Sequence, residues 1–209
     1  MIKHIVFDMG RVLIDWEPDE IIARCGTAGA DAKRLRREVF EGVEWASMDR
    51  GTMTQAEGLA RILRRLPPEL HGAAERCVRD WWKDKLHPIE GVAELIRELR
   101  GLGCGIYLLS NATSAVHEYF RRIPGSECFD GLIVSADWGL LKPQHEIYEK
   151  LFEEYALKPS ECFFIDDSPL NVDGAAFVGM PGTVFFRDLP RLRRELNEAG
   201  VPVRLEGEA

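Results

Sequence analysis

Short apolar runs, each followed by a helical pattern, constrain the fold of this chain more than any other feature of its sequence. After Pro88 the pattern alternates between runs rich in β-branched and aromatic residues and stretches whose apolar residues recur with helical spacing. The runs cover residues 105–110, 131–135, 162–165 and 183–186, and a further run covers residues 5–7. Repeated strand–helix units of this kind predict a doubly wound parallel sheet.

The stretch between the first run and Pro88 has no strand-type runs and indicates helices only. Thr54 and Glu57 have the spacing of a capping box, which predicts the start of a helix, and a Pro-Pro pair separates that helix from the next. We therefore predict an α/β fold in which a doubly wound parallel sheet, a Rossmann-like core, carries an inserted all-helical cap. The predicted core domain comprises residues 1–14 and 87–209, and the predicted cap domain comprises residues 15–86.

The composition narrows the range of partners. The formal net charge of −8 argues against nucleic acid, because a phosphate backbone is bound by a basic surface. No apolar run approaches the roughly 20 residues of a membrane-spanning helix, and Lys3 is followed by a strand pattern instead of the apolar region of a signal peptide. The five cysteines lack metal-type spacing, which is typical of reduced thiols. We expect a cytoplasmic protein that binds neither nucleic acid nor membranes, and the sequence leaves its oligomeric state open.

Polar side chains follow several of the predicted strands, at the points where the strands end. They are Asp8, Ser110 and the pair Asp166 and Asp167, with Lys142 one loop beyond the third strand. Each of them alone has an ordinary explanation, such as a turn residue or a helix cap. Because the carboxyl ends of parallel strands meet at one edge of a sheet, we expect these residues to converge. Their joint occurrence in this order favours a functional site.

The converging carboxylates predict a metal site. Clustered carboxylates do not all stay ionised without a cation, and oxygen ligands without Cys or His select Mg²⁺. With Mg²⁺ present, Lys142 and Ser110 have the chemistry to hold a phosphoryl group, together with the backbone N–H groups that begin at Asn111. Asp8 is then the residue left to act as a nucleophile and to form an aspartyl-phosphate.

Four segments together resemble the motifs of the haloacid dehalogenase superfamily, whose members are mostly phosphatases. They are Ile5-Val6-Phe7-Asp8-Met9-Gly10-Arg11-Val12-Leu13, Leu108-Leu109-Ser110-Asn111, Lys142-Pro143, and Phe164-Ile165-Asp166-Asp167 with Asn171. The resemblance spans nearly the whole chain and places residues 15–86 where the family has its helical cap. It implies that Asp8 is nucleophile and metal ligand, that Gly10 binds the metal through its carbonyl group, and that Asp167 is the other main ligand. It also implies that Asp166 lies beside the metal, directly or through water.

The chain departs from the family pattern at Gly10. The family has a second aspartate at that position, which protonates the leaving group and later activates water. The Phe-Asp-x-Gly opening resembles a bacterial glucose-1-phosphatase subgroup, and an anomeric or acyl phosphate needs less protonation to leave. The predicted function is therefore a Mg²⁺-dependent phosphatase that acts on a small phosphorylated metabolite, with a sugar phosphate as one example.

Two other functions stay open on the sequence. A non-catalytic relative would bind a phosphorylated ligand or a partner protein, and Gly10 would then be the sign of lost chemistry. A metal-independent 2-haloacid dehalogenase, in which Asp8 attacks carbon, is the second alternative. Asp166 and Asp167 argue against it, because an alkyl halide site gains nothing from clustered negative charge.

A short segment between two cap helices is a candidate for substrate selection. Trp45, Met48 and Arg50 either pack the small core of the cap or face the site, where Arg50 would meet a polar group of the substrate. The adjacent Trp81 and Trp82 point in different directions on a helix. We expect one of them in the core and the other in a lid or an interface.

Overall fold

A five-stranded parallel sheet forms the centre of the protein. The computed structural model describes residues 1–83 and 86–205. The strands in those residues are β1 (His4–Phe7), β2 (Gly105–Ser110), β3 (Gly131–Val134), β4 (Cys162–Asp166) and β5 (Gly182–Val184). Their order in the sheet is β3-β2-β1-β4-β5, and all neighbouring strands are parallel. The chain winds outward from β1 in both directions, which confirms the predicted doubly wound α/β architecture.

Helices connect the strands and also build the inserted cap. In chain order they are α1 (Pro18–Arg24), α2 (Gly29–Leu35), α3 (Val43–Asp49), α4 (Gln55–Leu63), α5 (His71–Glu75), α6 (Val92–Gly101), α7 (Val116–Tyr119), α8 (Ser135–Trp138), α9 (His145–Tyr155), α10 (Pro169–Phe177) and α11 (Leu189–Glu198). Helices α2 and α5 continue into the π-helical segments Arg36–Phe40 and Arg76–Asp80. Among the described residues, no helix has the length and apolar character that crossing a membrane requires.

The central strand β1 is covered on both faces. Ile5 and Phe7 belong to an apolar cluster that includes residues of α6 and α11, whereas Val6 belongs to a cluster that includes residues of α9 and α10. All three side chains are fully buried. Alternate burial on two faces is what a short, uninterrupted apolar strand requires in a parallel sheet.

The strand at one edge of the sheet is shorter than the sequence pattern predicts. The apolar run predicts a strand over residues 183–186, whereas β5 ends at Val184. Its neighbour β4 ends at Asp166, which lies opposite Val184 in the register. Phe185 adds one backbone hydrogen bond to the Asp166 carbonyl at 2.9 Å, and Arg187 then adopts a positive φ of 59°. The ladder ends there because the partner strand ends.

Helices α1 to α5 pack around an apolar cluster of their own, separate from the two clusters that flank the sheet. Inside this cap, Arg65 donates to both carboxylate oxygens of the buried Glu44 at 2.7 and 2.9 Å and to Glu38 at 2.7 Å. Because Glu44 lies on α3, these bonds fix α3 against the segment that follows α4. The inserted helical cap is confirmed, while its predicted boundaries stay a prediction, and residues 84–85 and 206–209 lie outside the described residues.

The carboxyl end of α3 contacts the core. The Ser135 hydroxyl donates to the Asp49 backbone carbonyl at 2.5 Å. Two residues further on, Gly51 has a φ of 76°, and a Cβ atom there would overlap the backbone carbonyl of Ala136. A side chain at this position would push the cap away from α8, so the glycine permits the close approach. The contact places the end of α3 beside the carboxyl edge of the sheet.

Candidate active site

The carboxyl ends of three neighbouring strands bring polar side chains together. Asp8 directly follows β1, Ser110 ends β2 and Asp166 ends β4, and all three are buried. The Asp8 backbone N–H donates to the Ile165 carbonyl at 2.9 Å, which extends the pairing of β1 with β4 by one residue. Asp8 and Ser110 line a cavity of about 350 Å³ between core and cap residues. This volume lies within the range of small-molecule sites.

A single buried ammonium group joins the strand ends. The Lys142 Nζ atom donates to Asp8 Oδ1 at 2.6 Å, to Asp166 Oδ2 at 2.7 Å and to the Leu109 carbonyl at 2.8 Å. All the N–H donors of the ammonium group are therefore used. Burial alone would lower the pKa of Lys142, but the charges of Asp166 and Asp8 outweigh burial and raise it. Lys142 is thus a fixed positive charge against Asp8.

Asp166 anchors this lysine. Its Oδ1 atom accepts from the Ser168 backbone N–H at 2.8 Å, and the Asn171 side-chain amide donates to Oδ1 at 3.0 Å and to Oδ2 at 3.1 Å. With Lys142 on Oδ2, both oxygens of the fully buried carboxylate have partners. The resemblance implies a place beside the metal for Asp166, and the geometry adds the task of holding Lys142.

Asn111 holds the backbone of the same lysine. Its side-chain oxygen accepts from the Lys142 N–H at 2.8 Å, and its amide nitrogen donates to the Lys142 carbonyl at 3.0 Å. These two bonds use both polar atoms of the Asn111 side chain. If Asn111 contacts a phosphate, it therefore does so through its backbone N–H. The adjacent Ser110 hydroxyl lines the cavity and is not needed for this clamp.

Asp8 and Asp167, which line the cavity, form a cluster of carboxylates with the buried Asp166. One oxygen each of Asp8, Asp166 and Asp167 lies within 4.8 Å of the others. Burial raises the pKa of Asp8, opposed by the charge of Lys142 and assisted by that of Asp166. Burial also raises the pKa of Asp167, and the charge of Asp166 adds to the rise. A cluster of oxygen donors whose negative charge exceeds the local compensation fits Mg²⁺.

Gly10 and Arg11 form the turn after Asp8. Gly10 lines the cavity, and a Cβ atom there would lie 3.7 Å from Trp16 Cβ, an ordinary contact. The space and the backbone at this position therefore accept a side chain, so sterics do not explain the missing second aspartate. Arg11, with a φ of 61°, forms an ion pair with Asp167 at 3.3 Å from the half-exposed rim of the site.

The cap supplies the opposite wall of the cavity. Its lining residues are Trp16, Trp45, Met48, Asp49, Gln55, Val78 and Trp81. The Trp45 ring lies 5.8 Å from that of Trp16 and 4.7 Å from that of Phe40, measured between centroids. Of the predicted selection segment, Trp45 and Met48 reach the cavity, whereas Arg50 is not part of the lining in the described residues.

The two adjacent tryptophans separate between core and cavity. Trp82 belongs to the core cluster, and its ring stacks on that of Tyr119 at a centroid distance of 5.1 Å. Trp81 lines the cavity and meets the same tyrosine edge-on at 5.6 Å. Trp81 is therefore the one that faces the site, and Trp82 is the core residue.

Several lining residues have no place in the sequence-based prediction. Asp49, Gln55, Thr113 and Tyr119 all line the cavity. Asp49 lies inside the segment that the sequence singles out, and a carboxylate between two candidate lining residues was the signal that could have identified it. The other three give no such signal, because tertiary packing alone brings them to the site.

The chain is similar to known proteins over most of its length. A family model described as haloacid dehalogenase-like hydrolase matches residues 2–179. A sesquiterpene phosphatase of Aspergillus oryzae is 27% identical over 181 residues, which cover 86% of this chain and 88% of that protein. A D-ribitol-5-phosphate phosphatase of Bacteroides thetaiotaomicron is 26% identical over 186 residues, which cover 82% of this chain and 86% of that protein.

The fold is shared by solved structures, among them that of an enzyme with bound magnesium and phosphate. It is an enzyme of the HAD family from Bacteroides thetaiotaomicron in complex with magnesium and inorganic phosphate, and it matches with a TM-score of 0.66 and 21% identity. The match covers 90% of this chain and 96% of that one. At this identity the likeness concerns the fold.

Proposed function

The chain belongs to the haloacid dehalogenase-like hydrolases, and we propose that it is a Mg²⁺-dependent phosphatase of a small phosphorylated metabolite, with Asp8 as its nucleophile. The observation that carries the proposal is the position of Lys142, whose ammonium group joins Asp8 to Asp166 beside the carboxylate cluster. The sesquiterpene and ribitol-5-phosphate phosphatases support a phosphate ester as the substrate class.

The first step transfers the phosphoryl group to Asp8. The free carboxylate oxygen attacks phosphorus while the bond from phosphorus to the leaving oxygen breaks. The hydrogen bond from Lys142 at 2.6 Å fixes the orientation of the attacking carboxylate. When bound by Asp8, Asp167 and the Gly10 carbonyl, with Asp166 beside it, Mg²⁺ supplies positive charge that offsets the charge of the phosphoryl oxygens.

The loop after β2 provides neutral donors for the transferred group. Ser110 and Asn111 line the cavity, so the Ser110 hydroxyl and the Asn111 backbone N–H are the candidate donors of this loop. The next N–H group, that of Ala112, donates to Ser135 Oγ at 2.9 Å and is therefore already used.

In the second step, a water molecule attacks the aspartyl-phosphate, phosphate leaves, and the Asp8 carboxylate is restored.

The cap wall indicates which leaving groups fit. Trp45, Met48 and Val78 present apolar surface to the cavity. Gln55 and Thr113, whose side-chain polar atoms are 3.4 Å apart, add polar groups to the lining. We expect a leaving group with an apolar face and hydroxyl groups at its edge. A sugar has both, so the sugar phosphate predicted from the sequence remains one candidate.

Gly10 favours a second candidate function, the binding of a phosphorylated ligand without turnover. It is the one motif position where the expected acid/base group is missing, and such a protein would still bind Mg²⁺ and phosphate. The dehalogenase alternative gains no support from the buried carboxylate cluster. The cytoplasmic location stays a prediction, and all five cysteines are free thiols.

Phosphate release from a panel of esters, with Mg²⁺ and with a chelator, separates these functions. The panel contains sugar phosphates, a sesquiterpene phosphate and nitrophenyl phosphate, and a 2-haloacid is assayed for halide release. A phosphatase of the proposed kind should release phosphate with Mg²⁺ and lose this activity in chelator. Binding of inorganic phosphate and Mg²⁺ without turnover would support the non-catalytic function, and halide release in chelator would support the dehalogenase.

A further inference from the structure

Hydrolysis through Asp8 has two proton transfers, and Gly10 supplies a group for neither. The leaving oxygen must gain a proton in the first step, and the attacking water must lose one in the second. A residue that performs both must line the cavity and exist in both protonation states at accessible pH. The need for such a residue rests on the proposed phosphatase function.

Most titratable groups that line the cavity are already committed. Asp8 is the nucleophile, Asp167 belongs to the carboxylate cluster, and Lys142 uses its donors on other partners. Arg11 pairs with Asp167 from the rim. Tyr119 is buried, and burial raises its pKa far above the usual range of tyrosine, which disfavours its phenolate. Asp49 is the remaining titratable group of the described lining.

A contact of its backbone fixes Asp49 beside the core. The Ser135 hydroxyl donates to its backbone carbonyl at 2.5 Å, and the same hydroxyl accepts from the Ala112 N–H at 2.9 Å. One side chain thus ties the end of α3 to the loop that follows Ser110. The position of Asp49 is therefore coupled to the loop that would hold the phosphoryl group.

Asp49 and Asp8 both line the cavity, and the charges of both act on the Tyr119 hydroxyl group. Burial is the main cause of the raised pKa of Tyr119, and the charges of Asp49 and then of Asp8 raise this pKa further. Asp49 is half-buried, and burial raises the pKa of its carboxyl group to about 8 against the hydrogen bond from the Trp45 side chain. A carboxyl group in such an environment exchanges its proton near neutral pH.

We propose that Asp49, supplied by the cap, is the general acid and base that replaces the missing core aspartate at Gly10. In the first step the Asp49 carboxyl group gives its proton to the leaving oxygen as the bond from that oxygen to phosphorus breaks. In the second step the Asp49 carboxylate takes a proton from water as the water oxygen bonds to phosphorus and the bond from phosphorus to Asp8 breaks. The residue ends in its initial protonation state, so the cycle balances.

The test compares Asp49→Asn with wild type on an alkyl phosphate and on nitrophenyl phosphate, which has a good leaving group. We expect kcat/KM for the alkyl ester to fall by about 10²–10⁴-fold, because its leaving oxygen needs the proton. For nitrophenyl phosphate kcat/KM should fall much less, whereas kcat should fall because water activation is also lost. Asp31→Asn, an exposed cap residue, is the matched control and should resemble wild type.

The pH profile gives a second readout. In wild type, kcat/KM for the alkyl ester should decline as pH rises through about 8, because the acid form of Asp49 is lost. This limb should be absent in Asp49→Asn. The other titratable groups that face the cavity are Asp8, Arg11, Tyr119, Lys142 and Asp167, and they remain in the variant. The Asn side chain cannot ionise, so it adds no buried charge at high pH. Above neutral pH the Tm of the variant should therefore be at least that of wild type.

A restoring variant gives a third readout. Because a Cβ atom fits at Gly10, Gly10→Asp in the Asp49→Asn background should recover activity on the alkyl ester preferentially. Two results would overturn the role of Asp49 while leaving the phosphatase function intact. One is an equal loss of kcat/KM on both esters, and the other is a decline of kcat/KM at high pH that persists in Asp49→Asn. A wild type that is inactive with Mg²⁺ on every ester would instead overturn the phosphatase function and this role with it.

Discussion

The core wall and the cap wall of the cavity are built differently. On the core side, Lys142 and Asp166 use all their polar atoms on fixed partners at 2.6–3.1 Å. On the cap side, Trp16, Phe40 and Trp45 meet through ring contacts, and the one carboxyl group, that of Asp49, has only the Trp45 side chain as its hydrogen-bond partner among the described residues. On the proposed mechanism, the core wall performs phosphoryl transfer, whereas the cap wall contacts the leaving group and supplies Asp49 for the proton transfers.

The largest expected effect is that of Asp8→Asn. The substitution preserves the shape of the side chain and removes the nucleophile, so turnover should fall on the order of 10⁴–10⁶-fold. Steady-state kinetics on nitrophenyl phosphate measure it, with circular dichroism to show that the fold is retained. Turnover within tenfold of wild type would mean that the core wall does not react covalently.

Lys142→Met should damage both stability and activity. It leaves Asp8 and Asp166 buried without their cation, which should cost about 3–5 kcal/mol of unfolding free energy at neutral pH. The substitution removes the charge that opposes the raised pKa of Asp8, so the difference from wild type should shrink as pH falls and Asp8 becomes protonated. Urea unfolding at neutral and mildly acidic pH measures this.

The matched control for that variant is Lys3→Met, because Lys3 is exposed and pairs only at the surface with Glu161. Its change in unfolding free energy should stay within about 0.5 kcal/mol. An equally small change for Lys142→Met would show that the core wall is not organised around its lysine.

Asp167→Asn should weaken the binding of Mg²⁺ by at least about tenfold to a hundredfold, because a neutral amide replaces a charged oxygen ligand. Calorimetric titration of Mg²⁺ measures it, and Asp173→Asn, an exposed residue of α10, serves as control. Unchanged affinity in Asp167→Asn would remove it from the ligand set.

The smallest effect should come from the aromatic residues of the cap wall. Trp45→Ala should change the ratio of kcat/KM values between two sugar phosphates by about tenfold, because part of an apolar pocket is removed. Arg50→Ala should leave this ratio unchanged, since Arg50 does not line the described cavity. A uniform loss on all substrates in Trp45→Ala would indicate that Trp45 packs the cap and selects nothing.

The contrast between the walls also explains which site residues could be predicted from the sequence. Asp8, Ser110 and Asp166 lie directly at strand ends, and the parallel register alone brings strand ends together, so their convergence could be predicted. The cap residues that line the cavity could not be predicted, because helical spacing does not determine how a small helical bundle packs on a sheet. The sequence leaves open whether the segment with Arg50 faces the cavity, and its neighbour Asp49 is the charged residue that lines it. Gly51, the next residue after Arg50, makes the close contact with α8.

The stereochemistry of phosphoryl transfer tests the covalent role of Asp8 most directly. A phosphorothioate ester made chiral at phosphorus with two oxygen isotopes is hydrolysed in water that carries the third stable isotope, and the configuration of the released thiophosphate is determined. Transfer to Asp8 and then to water inverts phosphorus twice, so we predict overall retention of configuration. Overall inversion would mean that water attacks the substrate directly and would contradict Asp8 as the nucleophile.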